Sequence, residues 1–185
     1  MVVLEEGMTR LEGVKTSRLV GVKGSRIHGY GLFAKKPIAE GTCIIEYLGE
    51  RITNREADRR ESEKGSSVAA DHTFMFQVSS RHTIDGGKNG NAARFLNHSC
   101  DGNCYAEVSK GRVFIIATKA IRAGEELTFD YALHISGERA SKETIRRRYR
   151  CFCGSIKCRK TMVATIDPPP APKISANIPM KKSKR

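Results

Sequence analysis

The chain has 185 residues, 39% of them hydrophobic and 29% charged, with six cysteines, no tryptophan and a formal net charge of +13 at pH 7. That length suits one domain of ordinary size, and no apolar run approaches the roughly 18 residues a helix needs to cross a bilayer, which excludes a helical membrane protein. The start, Met1-Val2-Val3-Leu4-Glu5-Glu6, lacks the basic stretch of a cleaved signal, and three cysteines crowd into one short segment, so a soluble protein of a reducing compartment is predicted.

Taken in order, Ser17 to Lys23 reads as a strand, followed by a turn, Gly24-Ser25-Arg26-Ile27-His28-Gly29-Tyr30-Gly31, and a second strand from Leu32. Gly29 and Gly31 let a backbone approach something closely, though a lone Gly-x-Gly also serves an ordinary tight turn. Thr42 to Leu48 is a strongly apolar strand, with Cys43 read as a small buried hydrophobe. Thr53-x-x-Glu56 is a capping box that opens a polar helix to about Lys64. With almost no apolar face, that helix is expected to lie on the surface. Thr73 to Val78 and His82 to Asp85 read as further strands, and Asp85 to Gly90 as a flexible connection.

Next comes the stretch around which the chain is organised, Asn91 to Tyr131. It opens with Asn97-His98-Ser99-Cys100, four consecutive donors, acceptors and a soft ligand. Cys104 to Val108 and Arg112 to Thr118 form a predicted hairpin across Ser109-Lys110-Gly111. The stretch closes with Leu127-Thr128-Phe129-Asp130-Tyr131, where strand alternation sends Phe129 and Tyr131 to one face. Many short strands and two helical segments make the chain mainly β.

A basic helix is predicted from Glu138 to Arg150, followed by Cys151-x-Cys153-x4-Cys158. Three thiolates leave a tetrahedral zinc site one ligand short. Cys43, Cys100, Cys104 and His134 are the candidates, and Cys100 leads because it ends a polar turn. Nine Lys or Arg face one Glu from Arg139 to Lys160, and five face Asp167 from Val163 to Arg185, so residues 139–185 carry +12 of the +13. That concentration favours a polyanionic neighbour such as nucleic acid or chromatin. Five of the six prolines fall after Met162, where a disordered Pro/Lys-rich tail is expected.

The glycine turn, Asn-His-Ser-Cys, Phe-Asp-Tyr and the cysteine knuckle, in that order, resemble the SET-domain protein lysine methyltransferases with a post-SET zinc motif. The resemblance covers Ser17 to Met162. It implies a β-clip-like fold of small curved sheets with a C-terminal pseudoknot, a few short helices and a zinc knuckle. The implied organisation is a lead-in over residues 1–16, a catalytic domain over 17–137, a basic helix and post-SET motif over 138–162, and the tail over 163–185.

By the same resemblance His28, Gly29 and Tyr30 match the first motif that binds S-adenosylmethionine, and Arg94, Asn97 and His98 match the second. Tyr131 matches the catalytic tyrosine, also in contact with the cofactor, and Tyr47 a second active-site tyrosine. Phe129 matches the position that controls how many methyl groups are added, and its phenylalanine implies di- or trimethylation. Phe152 lies where the post-SET loop closes over the cofactor, and Cys100, Cys151, Cys153 and Cys158 match the ligands of one structural zinc ion. Phe74 departs from the tyrosine that lines the cofactor and lysine site in many members. Gly102 replaces a common proline, a change read as confined to the turn.

Asn103 to Val108 and Cys158-Arg159-Lys160 look most like the trithorax-type enzymes acting on the histone H3 tail. The implied partners are a histone tail, or a ribosomal or histone-like substrate, and a nucleosome or nucleic acid met by the basic end, with no membrane. The implied compartment is the nucleus, or the cytoplasm or a host nucleus for a bacterial source.

Overall fold

The computed structural model describes residues 16–63, 74–135 and 140–166. Among them are twelve strands, two α-helices and one 3-10 helix, so the mainly β expectation holds. Strands β1 (Val20–Gly24) and β2 (Tyr30–Ala34) form an antiparallel hairpin around the predicted glycine turn. The apolar strand β3 (Cys43–Tyr47) pairs with β9 (Arg112–Ala117), and β9 pairs with β8 (Cys104–Ser109). Between β8 and β9, Lys110 and Gly111 both have positive φ, 49° and 74°, the geometry whose twist matches that of the flanking strands.

Strand β10 (Glu126–Phe129) lies inside the sheet between β2 and β8, and β7 (Asn97–His98) pairs with it on the edge opposite β8. Its Leu127 is fully buried, as are Val20, Leu32, Val113 and Ile115, and each such side chain contributes about 1.5–3 kcal/mol of burial. Phe129 pairs with both His98 and Cys104, the two ends of the intervening loop. The loop therefore crosses the strand, and the strand is threaded beneath it. Ser99 N donates to Phe129 O at 3.0 Å, and Thr128 N donates to Asn103 Oδ1 at 2.9 Å. The pseudoknot implied by the resemblance is this crossing.

Gly102 sits at the crossing, so its effect is not confined to the turn. A Cβ there would come within 2.6 Å of Thr128 O and 2.7 Å of Phe129 Cα. With glycine at this position the loop lies closer to the strand than a side chain would allow without a shift of one or the other.

A second sheet, in the order β4 (Glu50–Thr53), β6 (His82–Asp85) and β5 (Met75–Gln77), stands beside the first. Helix α1 (Asn54–Glu63) follows β4, with Thr53 Oγ1 accepting from Glu56 N at 3.2 Å as the capping box predicts. Only Ala57 of this helix is buried, so ionic contacts fix it. Arg60 donates from Nη1 to Glu50 and Asp85, both at 2.7 Å, and from Nε to Glu56 at 2.8 Å.

Several expectations are corrected. Cys43 is exposed, because it is the first residue of β3 and points away from the core. The connection after Asp85 is tightly bonded: Gly87 N donates to Asp85 Oδ1 at 2.9 Å, Gly86 N to Phe74 O at 2.8 Å, and Glu50 N to Lys88 O at 2.9 Å. Strand β10 ends at Phe129, and the chain turns at Ala132, whose φ is 44°. The basic helix, α2, is shorter than predicted, Lys142–Arg148, because Ser141 caps it by accepting from Thr144 N at 3.1 Å. Residues Val163–Ile166, placed in the tail, form strand β12 parallel to β11 (Leu133–Ile135), so the ordered unit runs past Met162. The rest of the tail, with its prolines and terminal lysines, lies outside the described residues, as does the lead-in before residue 16.

Candidate active site

Four aromatic rings form a continuous chain across the two sheets. Tyr47 and Phe76 have centroids 5.4 Å apart, Phe76 and Phe129 stack at 6.2 Å, and Phe129 meets Tyr131 at 4.9 Å. Phe129 and Tyr131 thus share one space as alternation predicted, although Tyr131 lies beyond the strand. Phe76 was missed by sequence reading, yet Phe74-Met75-Phe76 carries the same i, i+2 alternation that singled out Phe129 and Tyr131. Phe74 reaches the site through its backbone, whose carbonyl accepts from Tyr47 Oη at 2.7 Å. The Phe74 ring packs edge-on against Phe95 at 6.0 Å, with the Arg94 guanidinium 5.5 Å from one ring centroid and 4.8 Å from the other.

Tyr131 is held at both ends. Its hydroxyl donates to Leu96 O at 2.7 Å and its backbone N–H to His98 Nδ1 at 3.1 Å. Burial pushes the hydroxyls of Tyr47 and Tyr131 well above the ordinary phenol range, so both remain protonated. Burial likewise pulls the His98 imidazole down to about 4. His98 is therefore neutral near pH 7, and because Nδ1 accepts from Tyr131, its proton sits on Nε2. That nitrogen faces Cys100 Sγ at 3.4 Å. The imidazole is committed to Tyr131 and to the cysteine cluster, so any contact His98 makes to a ligand comes through its backbone.

The predicted glycine turn is adjacent. Gly29 has a φ of +45°, and the Asn97 side chain lies within hydrogen-bond reach of two turn carbonyls, Tyr30 O at 3.0 Å and His28 O at 3.3 Å. Asn97 is 4% exposed, and Tyr30 meets Phe95 edge-on at 6.1 Å. His28, Gly29 and Tyr30 are thereby joined to the segment bearing Arg94, Asn97 and His98, two stretches about 70 residues apart in sequence. Backbone groups presented by a tight turn, with aromatic faces and a guanidinium beside them, fit a nucleoside that carries a charged amino-acid end.

Cys100, Cys151, Cys153 and Cys158 converge, with all four sulfurs within 4.8 Å of one another. A tetrahedral ion with metal–sulfur bonds of about 2.3 Å requires sulfur separations of about 3.8 Å. Cys100 and Cys151 are 3.7 Å apart. Backbone N–H groups point at the sulfurs, from Cys153 to Cys151 at 3.4 Å, Arg159 to Cys100 at 3.4 Å and Lys160 to Cys158 at 3.3 Å. Such donors stabilise thiolates, and the cluster can hold a metal ion. Cys100 is thus the fourth member of the group, whereas Cys104 is buried on β8, its thiol pushed up to about 12 by burial.

The cluster is tied to the aromatic site a second time. Arg159 grips Asp130 through two bonds of 2.6 and 2.7 Å, holding that carboxyl below the ordinary range. Phe152, between two of the cysteines, is 65% exposed, with the Arg150 guanidinium 5.3 Å from its ring centroid.

The family model of the SET domain matches residues 29–132. Histone-lysine N-methyltransferase set-2 of Caenorhabditis elegans is 36% identical over 146 residues, covering 77% of this chain and 9% of the relative. Histone-lysine N-methyltransferase trithorax of Drosophila virilis is 39% identical over 145 residues, covering 76% of this chain and 4% of the relative. The chain thus spans less than a tenth of the length of these curated relatives. Among solved structures, the Chaetomium thermophilum Polycomb Repressive Complex 2 superposes with a TM-score of 0.56 at 36% identity, over 60% of this chain and 15% of that one. With the SET match spanning more than half of its residues, and with relatives of this identity over three quarters of its length, this chain belongs to the SET-domain family.

Proposed function

We propose that the chain is an S-adenosylmethionine-dependent protein-lysine methyltransferase that acts on a histone H3 tail and adds two or three methyl groups. The observation that carries this reading is the buried Tyr131 hydroxyl, which donates to Leu96 O beside a chain of aromatic rings. S-adenosylmethionine, when bound, supplies a sulfonium methyl that a neutral amine attacks directly, with S-adenosylhomocysteine as the leaving group, so no protein nucleophile is required. Keeping a lysine of pKa about 10.4 neutral at pH 7 costs about 4.6 kcal/mol in water. A channel walled by Tyr47, Phe76, Phe129 and Tyr131 lowers that cost by disfavouring the ammonium. With its proton directed to Leu96, the Tyr131 oxygen keeps lone pairs that can accept from the amine and orient it.

The cofactor is assigned to the backbone of His28, Gly29, Tyr30, Asn97 and His98, to Arg94 and to Tyr131. Phe74 flanks it and Phe152 closes over it. Cys100, Cys151, Cys153 and Cys158 are assigned to one zinc ion, a structural one, because four protein ligands leave no open position. Residues 139–185, which hold +12, are assigned to a polyanionic surface such as the nucleosome, and the compartment to the nucleus or chromosome.

Phe129 determines the number of methyl groups. A tyrosine there could hold a water beside the lysine nitrogen, in the space that a second or third methyl needs, and phenylalanine cannot.

Three measurements test these assignments. Tyr131→Phe should retain the fold and lose about a hundredfold or more in methyl transfer to an H3 peptide, on the scale of an oriented catalytic group; near wild-type turnover would remove Tyr131 from the mechanism. Mass spectrometry of the peptide should reveal di- or trimethyl-lysine for the native chain and a shift to monomethyl-lysine for Phe129→Tyr, whereas only monomethyl product from the native chain would contradict the role of Phe129. Metal analysis should give one zinc per chain, reduced in Cys100→Ser, and unchanged occupancy in that variant would refute the four-cysteine site.

A further inference from the structure

Glu126, the first residue of β10, was assigned no role by its position in the chain, yet its carboxylate joins three separate segments. Oε1 accepts from Ser25 Oγ at 2.7 Å and from Asn97 Nδ2 at 2.8 Å, and Oε2 lies 3.0 Å from the same serine hydroxyl. Ser25 passes the contact into the glycine turn, because its Oγ accepts from Ile27 N at 2.9 Å and its backbone N–H donates to Gly29 O at 2.8 Å. Asn97 passes it on from the other side, toward the carbonyls of His28 and Tyr30. Gly31 makes room for the carboxylate: a Cβ at that position would overlap Glu126 Oε1.

We propose that Glu126 is a positioning residue for the cofactor turn, fixing residues 25–30 through Ser25 and Asn97 without itself touching the cofactor. The proposal rests on the assignment of that turn to S-adenosylmethionine. None of residues 25–30 is buried, and Gly29 has a positive φ, so the turn's own packing constrains it weakly. Glu126 supplies what is missing, from a strand anchored in the core: its neighbours Leu127 and Thr128 are 0% and 7% exposed. A carboxylate suits the task better than an amide because two donors converge on one of its oxygens, and charge-assisted bonds are the stronger kind. When only a fraction of turn conformers can bind, apparent affinity falls by that fraction. Loss of Glu126 therefore acts on cofactor affinity, and it spares the aromatic channel formed by the other end of the same strand.

S-adenosylhomocysteine binding, measured by titration calorimetry on the full chain, reads this without any turnover. Glu126→Ala should weaken it about tenfold, in line with the loss of charge-assisted bonds. The KM for S-adenosylmethionine should rise in parallel, with kcat at saturating cofactor and the KM for peptide changing far less. Ser25→Ala combined with Glu126→Ala should cost less than the sum of the two, since both break one contact. A role in stability alone would lower the melting temperature and leave the affinity of the folded fraction unchanged, and that result overturns the proposal. Should Glu126→Ala fail to fold, Glu126→Gln decides: it retains an acceptor oxygen but turns an NH2 toward the site, so a weakening of severalfold supports the proposal and unchanged affinity overturns it. A native chain that binds no S-adenosylhomocysteine overturns the assignment of the turn itself, and this proposal with it; normal native binding left intact by both substitutions overturns only the role of Glu126.

Discussion

Everything at the site depends on one crossing, the passage of β10 beneath the loop from Ser99 to Asn103. A single residue, Phe129, is paired with His98 before the loop and with Cys104 after it. Segments that would otherwise be independent are thereby fixed to one strand. At its start Glu126 reaches the glycine turn, at its end Phe129 joins the chain of aromatic rings, and just beyond it Tyr131 bonds to Leu96 and His98. Buried polar groups make the crossing specific. The Asn103 side chain donates to Glu125 Oε1 and Glu126 O and accepts from Thr128 N, so a register slip of one residue would strand several of these groups without partners.

The crossing also explains how a cysteine cluster at the far end of the chain can matter to a tyrosine. Cys100 lies in the crossing loop, and His98, two residues earlier, touches both Cys100 Sγ and Tyr131 N. Arg159 repeats the connection through Asp130 while its own backbone N–H points at Cys100. A metal held by the four cysteines would fasten the C-terminal segment to the tyrosine by two routes. This gives the cluster a reason to be where it is, beyond stabilising a small knuckle.

Much of this was legible in the sequence because it rests on spacing and alternation. The cysteine spacing called for a fourth member, and Cys100, which ends the polar turn, joins the cluster. The hairpin across Lys110-Gly111 followed from turn chemistry, and the capping box at Thr53 from local hydrogen bonding. What was not legible depends on contacts between distant segments. Cys43 looked buried because its neighbours Ile44 and Ile45 are, but a residue that opens a strand need not share their burial. The glycine-rich run after Asp85 looked flexible because composition says nothing of its bonds to Phe74 and Glu50. Strand β12 has no sheet of its own and exists only by pairing with β11, so the composition change after Met162 marked the tail too early. Glu126 is indistinguishable in sequence from Glu125 beside it, and only the fold separates their partners.

The central claim, that close passage of the loop over β10 builds the site, is tested most directly at Gly102. Gly102→Ala places a methyl against Thr128 O and Phe129 Cα, while Gly24→Ala adds one where nothing lies within 4 Å. The account predicts that denaturant unfolding will find Gly102→Ala less stable by about 1–3 kcal/mol, the usual cost of overpacking, with Gly24→Ala close to the native chain. Equal stability of the two variants would contradict it.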